Sequence, residues 1–211
     1  GRYAWLRQQM TSEMKKRIYA PDLFARTQGE ALRWLAQRYD AMPGDDPLNR
    51  MMAADLASYM PEDLLVKVDR MSMAHSLECR SPLLDSDVVT WALQVPSTLK
   101  MAGPLISMNQ RMPAGGKWIL REAFRDRFPE GFLERPKQGF GVPLERWFKS
   151  HLRDLLHERV LTGTVLQSKR FNLKALPQLV EEHVEGRANH ASTLWALLVL
   201  SSWGQHYRVC V

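Results

Sequence analysis

Lys117 and Arg121 stand four residues apart, one helical turn, directly after Gly115 and Gly116. Cations beside the exposed amides of a helix start form a phosphate site; a solvated basic face is the competing reading. A second lysine, Lys137, lies in the run PKQGFG from Pro136 to Gly141, held between a proline and glycines that let a ligand approach closely. Such a lysine can deliver a point charge to a phosphate or a developing oxyanion, with a plain surface turn as the alternative. A third stretch gathers Asp69, Arg70, Glu78, Arg80 and Asp85 among apolar residues. Burial would force those charges to pair or to hold a ligand; structural ion pairs and a helix cap would use the same residues. Other chemistries find no support. Cys79 and Cys210 are too few for a disulfide framework and lack zinc spacing, as do His183 and His190, and His75 falls on an apolar stripe that marks it as a core residue. No metal site and no serine or cysteine nucleophile motif is expected.

The elements that must position these residues read as helices. Apolar side chains recur at helical spacing and no alternating strand is evident, so the chain is expected to be mainly α. A first helix is expected from about Tyr3 to Ile18, and a second after Thr27, whose hydroxyl and Glu30 form a capping-box pattern. Asp46 and Pro47 mark an N-cap and first helical residue, with Leu48, Met51, Met52, Leu56 and Tyr59 on one face. Pro61 should open a helix reaching His75, burying a stripe of Leu64, Val68, Met71 and His75. Asp85 caps a helix to about Val95, and residues 96 to 116, with their prolines and glycines, read as a long connection. Helix resumes over Lys117 to Arg127 and again from Leu144 to about Val160. Asn172 caps one that ends at Gly186, and a strongly apolar last helix from about Ser192 should lie at the centre of the core.

Composition narrows the class. The 211 residues are 45% hydrophobic and 25% charged, ordinary for a globular cytoplasmic protein, and one domain spanning 1–211 is expected. No apolar run reaches the length of a membrane span, so no membrane partner is expected. The net charge of +6 permits an anionic ligand, but acids interleave the bases and no aromatic-basic array appears, which argues against nucleic acid.

Three stretches in order carry a resemblance: LLVKVDRMSMAHSLECRSPLLD from Leu64 to Asp85, GKWILR from Gly116 to Arg121, and RPKQGFGVP from Arg135 to Pro143, with LWALL at 194–198. Together they resemble the glutamine-hydrolysing asparagine synthetase family in its C-terminal synthetase domain. The resemblance implies the helical C-terminal portion of an α/β adenine-nucleotide-binding domain of the ATP-pyrophosphatase type. It also implies a ligase that uses Mg-ATP to adenylate aspartate and then ammonia, released from glutamine by a glutaminase domain, to give asparagine, AMP and pyrophosphate. Lys137 matches the loop lysine that stabilises charge on the α-phosphate, with Gln138 and Gly139 beside it, and Lys117 a lysine contacting the leaving pyrophosphate, supported by Arg121. Asp69, Arg70, Glu78 and Arg80 fall in the segment that lines or braces the acceptor pocket.

The sequence lacks the family's N-terminal cysteine nucleophile, its pyrophosphate loop and a later glycine-rich acidic motif. The chain is therefore expected to be a C-terminal fragment, inactive alone, with apolar faces that favour a homodimer. A related ligase acting on another carboxylate, such as a β-lactam-forming synthetase, would fit the same motifs, and a non-catalytic helical interaction module would fit the missing loop.

Overall fold

The computed structural model describes residues 10–101, 116–135 and 141–209. Its elements are α1 (Ser12–Ile18), α2 (Pro21–Thr27), α3 (Glu30–Asp40), α4 (Pro47–Leu56), α5 (Val66–Met73), α6 (Ser86–Gln94), α7 (Ser97–Lys100), α8 (Trp118–Ala123), α9 (Leu144–Lys149), α10 (Arg153–Leu156), α11 (Ala175–Val184) and α12 (Ala191–His206). Two π-helical turns, Met60–Leu65 and His157–Leu161, run into α5 and out of α10. Among the described residues there is no strand, only isolated antiparallel bridges between Tyr19 and Phe171 and between Met101 and Gly116. The fold is mainly helical, as the spacing predicts.

Several boundaries differ from expectation for local reasons. Thr11 caps α1, its hydroxyl accepting from the Met14 amide at 3.1 Å, so the helix starts at Ser12 instead of continuing from upstream. Thr27 ends a helix and does not begin one: its hydroxyl donates back to the Leu23 carbonyl at 2.8 Å, and Gly29, with φ of +74°, makes the turn into α3. Asp46 does cap α4, accepting from Leu48 and Asn49, and Asp85 caps α6. The helix expected from Leu144 to Val160 is broken at Ser150, where φ of −135° and ψ of −102° leave the helical region. Asn172 works one turn early: its side-chain oxygen accepts from the Lys174 amide, and α11 begins at Ala175.

The described chain divides into two compact units. The first takes the described residues up to Trp34 and those from Gly141 onward, the second those from Leu35 to Arg135. In the first, α9 to α12 enclose a core of Phe148, Leu156, Val160, Leu166, Leu176 and Leu179, with Leu194 and Leu197 from α12 and Ile18 from α1. The last helix is central as expected, although Trp195, Val199 and Trp203 on its other side remain exposed. Residues 18–20 pair with 170–172 through backbone bonds, Asn172 to Ile18 and Ala20 to Arg170, both at 2.8 Å.

The second unit buries far less. Among its described residues only Ala54, Ser58, Val95 and Lys100 are buried. The face of α4 that turns inward is Ala54 and, just beyond the helix, Ser58, while Tyr59 lies outward. The stripe on α5 expected to be buried is not: Met71 is 62% exposed, Val68 43%, and His75 is exposed beyond the helix end at Met73. Helical spacing reports an apolar face, and only neighbouring elements decide whether it is covered.

Candidate functional site

In the second unit a cavity of about 830 Å³ opens where three separate stretches of chain meet. Leu83 comes from the short 3-10 turn Pro82–Leu84, and Lys117, Leu120 and Arg121 come from α8 and the residue before it. Phe124, Phe128, Phe132 and Arg135 come from the segment that follows α8. Leu83 belongs to the sequence stretch Leu64–Asp85 and Lys117 and Arg121 to the stretch Gly116–Arg121, while the segment Phe124–Arg135 reaches only the first residue of the third, whose lysine loop lies outside the described residues.

Lys117 is fixed by backbone geometry. Gly116 bridges Met101, and the chain then turns through Lys117 in the left-handed region, φ 61° and ψ 35°, before α8 begins. A non-glycine residue there costs about 1 kcal/mol, a strain often held at functional positions. The Arg121 amide donates to the Lys117 carbonyl at 3.0 Å, which sets the two cations one turn apart. Also in the lining, the rings of Phe128 and Phe132 stack with centroids 4.8 Å apart and planes within 2°. Arg135 lies over the Phe132 ring, its Cζ 3.9 Å from the centroid, while its Nε donates to the Phe132 carbonyl at 3.1 Å.

The described lining thus holds two guanidinium groups and one ammonium against leucine and phenylalanine side chains, with no carboxylate. The nearby Glu122 is paired with Arg125. That donor set fits a compact polyanion such as the phosphates of ATP or pyrophosphate, and it offers a magnesium ion no direct ligand. Among the described residues no group of three or more His, Cys, Asp or Glu side chains is placed to hold a metal.

The other predicted residues fall elsewhere. Asp69 and Arg70 lie exposed on α5, and the Glu78 to Arg80 pair, 2.8 Å apart, is exposed at 69% and 80%. The charges of this stretch are therefore not forced together by burial. Lys137, Gln138 and Gly139 lie outside the described residues, as do Gly115 and Cys210. Sequence reasoning missed Phe128, Phe132 and Arg135 as lining residues. The available signal was their clustering, two phenylalanines and an arginine within eight residues that follow shortly after the Lys117–Arg121 pair.

A second charged cluster, in the first unit, is structural in character. Glu182 accepts from Arg17 through both oxygens, at 2.6 and 2.9 Å, and lies 2.7 Å from His190 Nε2. Arg17, and then His190, hold the Glu182 carboxyl down at about 2. The His190 amide donates to Nδ1 of the fully buried His183, whose imidazole burial pushes below its ordinary value. A smaller cavity of about 430 Å³ beside Tyr19, Phe171 and Trp203 mixes Lys15 and Arg170 with Glu30, and so has no single charge preference. Among the described residues no helix is long and apolar enough to cross a membrane.

Comparison with known proteins points to one family. A family model described as asparagine synthase matches residues 2–205. A protein of Mycobacterium tuberculosis (strain ATCC 25618 / H37Rv), provisionally named a glutamine-hydrolysing asparagine synthetase, is 33% identical over 166 residues, 78% of this chain and 24% of its own. The glutamine-hydrolysing asparagine synthetase 1 of Bacillus subtilis (strain 168) is 30% identical over 156 residues, 74% of this chain and 23% of its own. The asparagine synthetase of Mus musculus, also named as glutamine-hydrolysing, is 29% identical over 148 residues, 62% of this chain and 24% of its own. The chain spans about a quarter of the length of these curated relatives. No solved structure gives a significant match.

Proposed function

The chain belongs to the asparagine synthase family, and on that premise we propose that it forms the helical C-terminal part of an ATP-dependent, amide-forming ligase with an α/β nucleotide-binding domain. The reaction proposed is adenylation of aspartate by Mg-ATP with loss of pyrophosphate, followed by attack of glutamine-derived ammonia to give asparagine and AMP. A cytoplasmic setting suits those substrates.

The observation that carries this reading is the convergence of Leu83, Lys117, Arg121 and Arg135 on one cavity whose described lining holds no carboxylate. Loss of pyrophosphate concentrates negative charge on the departing group, and cations fixed in advance around that position lower the barrier to its departure. In this reading Lys117 and Arg121 hold the pyrophosphate, and Lys137, flanked by Gln138 and Gly139, stabilises the α-phosphate. Asp69, Arg70, Glu78 and Arg80 brace the acceptor side. A ligase of the same kind acting on another carboxylate would use the phosphate pocket identically.

The test is calorimetric titration of the chain with Mg-pyrophosphate and Mg-ATP, beside a Lys117→Ala/Lys137→Ala double variant. Specific binding that is lost in the variant is expected. Wild-type chain that ignores both ligands, or a variant that binds them equally well, would refute the assignment.

The exposed apolar residues on and after α5 support one further part of the proposal, that two copies of the chain associate through this face.

A further inference from the structure

Arg135 differs from the ordinary exposed arginine in how little freedom it retains. Its Nε is committed to the Phe132 carbonyl at 3.1 Å, and its Cζ sits 3.9 Å above the Phe132 ring. That ring is itself locked parallel to Phe128, 4.8 Å away. A guanidinium on an aromatic face is held by cation–π attraction and by planar contact, neither of which an ammonium reproduces equally. The rotamer entropy that an arginine normally loses on gripping a ligand is thus largely spent before the ligand arrives. Its Nη groups make no hydrogen bond among the described residues, and no described carboxylate pairs with it. The same side chain lines the cavity with Lys117 and Arg121.

We propose that Arg135 is a third anchor for the pyrophosphate group in this cavity, and that Phe132 is the positioning residue that holds its guanidinium toward the ligand. This rests on the phosphate-binding reading above. It adds that the pocket selects a diphosphate over a single phosphate. Lys117 and Arg121 come from the start of α8 and Arg135 from a separate stretch of chain, so the pocket offers three cations, which a two-phosphate anion can engage more fully than orthophosphate.

The experiment titrates the chain calorimetrically with Mg-pyrophosphate and separately with orthophosphate, using wild type, K117A, R135A, R135K, F132L and F132Y. Pyrophosphate affinity is expected to fall about 10- to 30-fold in R135A, and nearly as far in R135K, because the ammonium keeps the charge and loses the fork. F132L should lose about 3- to 10-fold for pyrophosphate with orthophosphate unchanged, and F132Y, which keeps the ring, should restore it. All these positions are exposed or half-buried, and unchanged circular dichroism and melting confirm that folding is intact. If K117A weakens binding and R135A stays within about twofold of wild type, the Arg135 assignment is wrong and the phosphate pocket stands. If R135A weakens and F132L does not, Phe132 has no positioning role. If the wild type binds no pyrophosphate, both the pocket and the third anchor are refuted.

Discussion

Arg17 and Glu182, 165 residues apart in sequence, grip each other through both carboxylate oxygens at 2.9 and 2.6 Å. The contact ties α1 to α11 and so closes the first unit around its core. Side-chain exposures of 32% and 23% leave it only partly screened by water.

This pair gives the protein an acid-sensitive contribution to stability. Glu182 titrates at about 2 in the folded chain against an ordinary 4.5, so the contribution is complete above about pH 5 and disappears as pH falls toward 2. Glu182→Gln should cost about 1–2 kcal/mol at pH 7. Urea unfolding at a series of pH values should show the gap between variant and wild type shrinking below pH ~5. A gap that stays constant down to pH ~2 would mean that Glu182 is not the titrating contact.

Gly163 lies where a Cβ would collide with the Ser201 hydroxyl and the Arg159 carbonyl, the second of which is backbone and cannot swing aside. Gly163→Ala should therefore destabilise the chain by about 2–3 kcal/mol. Gly141→Ala, with open space around it, is the control and should change the urea midpoint little. Equal midpoints for the two variants would show that the chain near Gly163 relaxes freely.

Lys100 is one of the few buried residues among those described in the second unit, and its ammonium donates to the Asn49 side-chain oxygen. Asn49 in turn donates to the Val95 carbonyl at 3.3 Å. Asn49→Leu should cost about 2–3 kcal/mol by leaving a buried charge without its acceptor. Lys100→Met added to Asn49→Leu should recover a large part of that loss in thermal unfolding. Additive losses would mean that the two side chains do not depend on each other.

Val68, Met71, Met73 and Leu77 form an exposed apolar run along and beyond α5. Sedimentation velocity should show weight-average mass rising with concentration, and Met71→Glu with Leu77→Glu should return the chain to a monomer. A wild-type sample that stays monomeric across the concentration range would count against self-association through this face.

The caps at Asp46 and Asp85, the central last helix and the one-turn spacing of Lys117 and Arg121 were legible in the sequence. Each depends on residues within a few positions of one another: a carboxylate and the amides two or three residues on, or a repeat of 3.6. Thr27 was misread because a hydroxyl that caps a helix start can equally bond back to the carbonyl four residues earlier, and sequence does not say which backbone is within reach. The stripe of Val68 and Met71 was misread as buried because periodicity fixes a face and not its neighbour.

Of the candidate site, the sequence supplied Lys117 and Arg121 as a pair of cations one turn apart. Only the tertiary structure added Arg135 and its aromatic platform, and placed Leu83 on the same cavity wall. Arg17 lies 165 residues from Glu182 in sequence, and only the fold sets it beside His190 within hydrogen-bond reach of that carboxylate. Local spacing specifies which elements form, since the interactions that start and stop a helix act over a single turn. Which side chains share a cavity or a charge cluster is settled by how distant segments pack to bury their apolar faces, and that is a property of the folded chain alone.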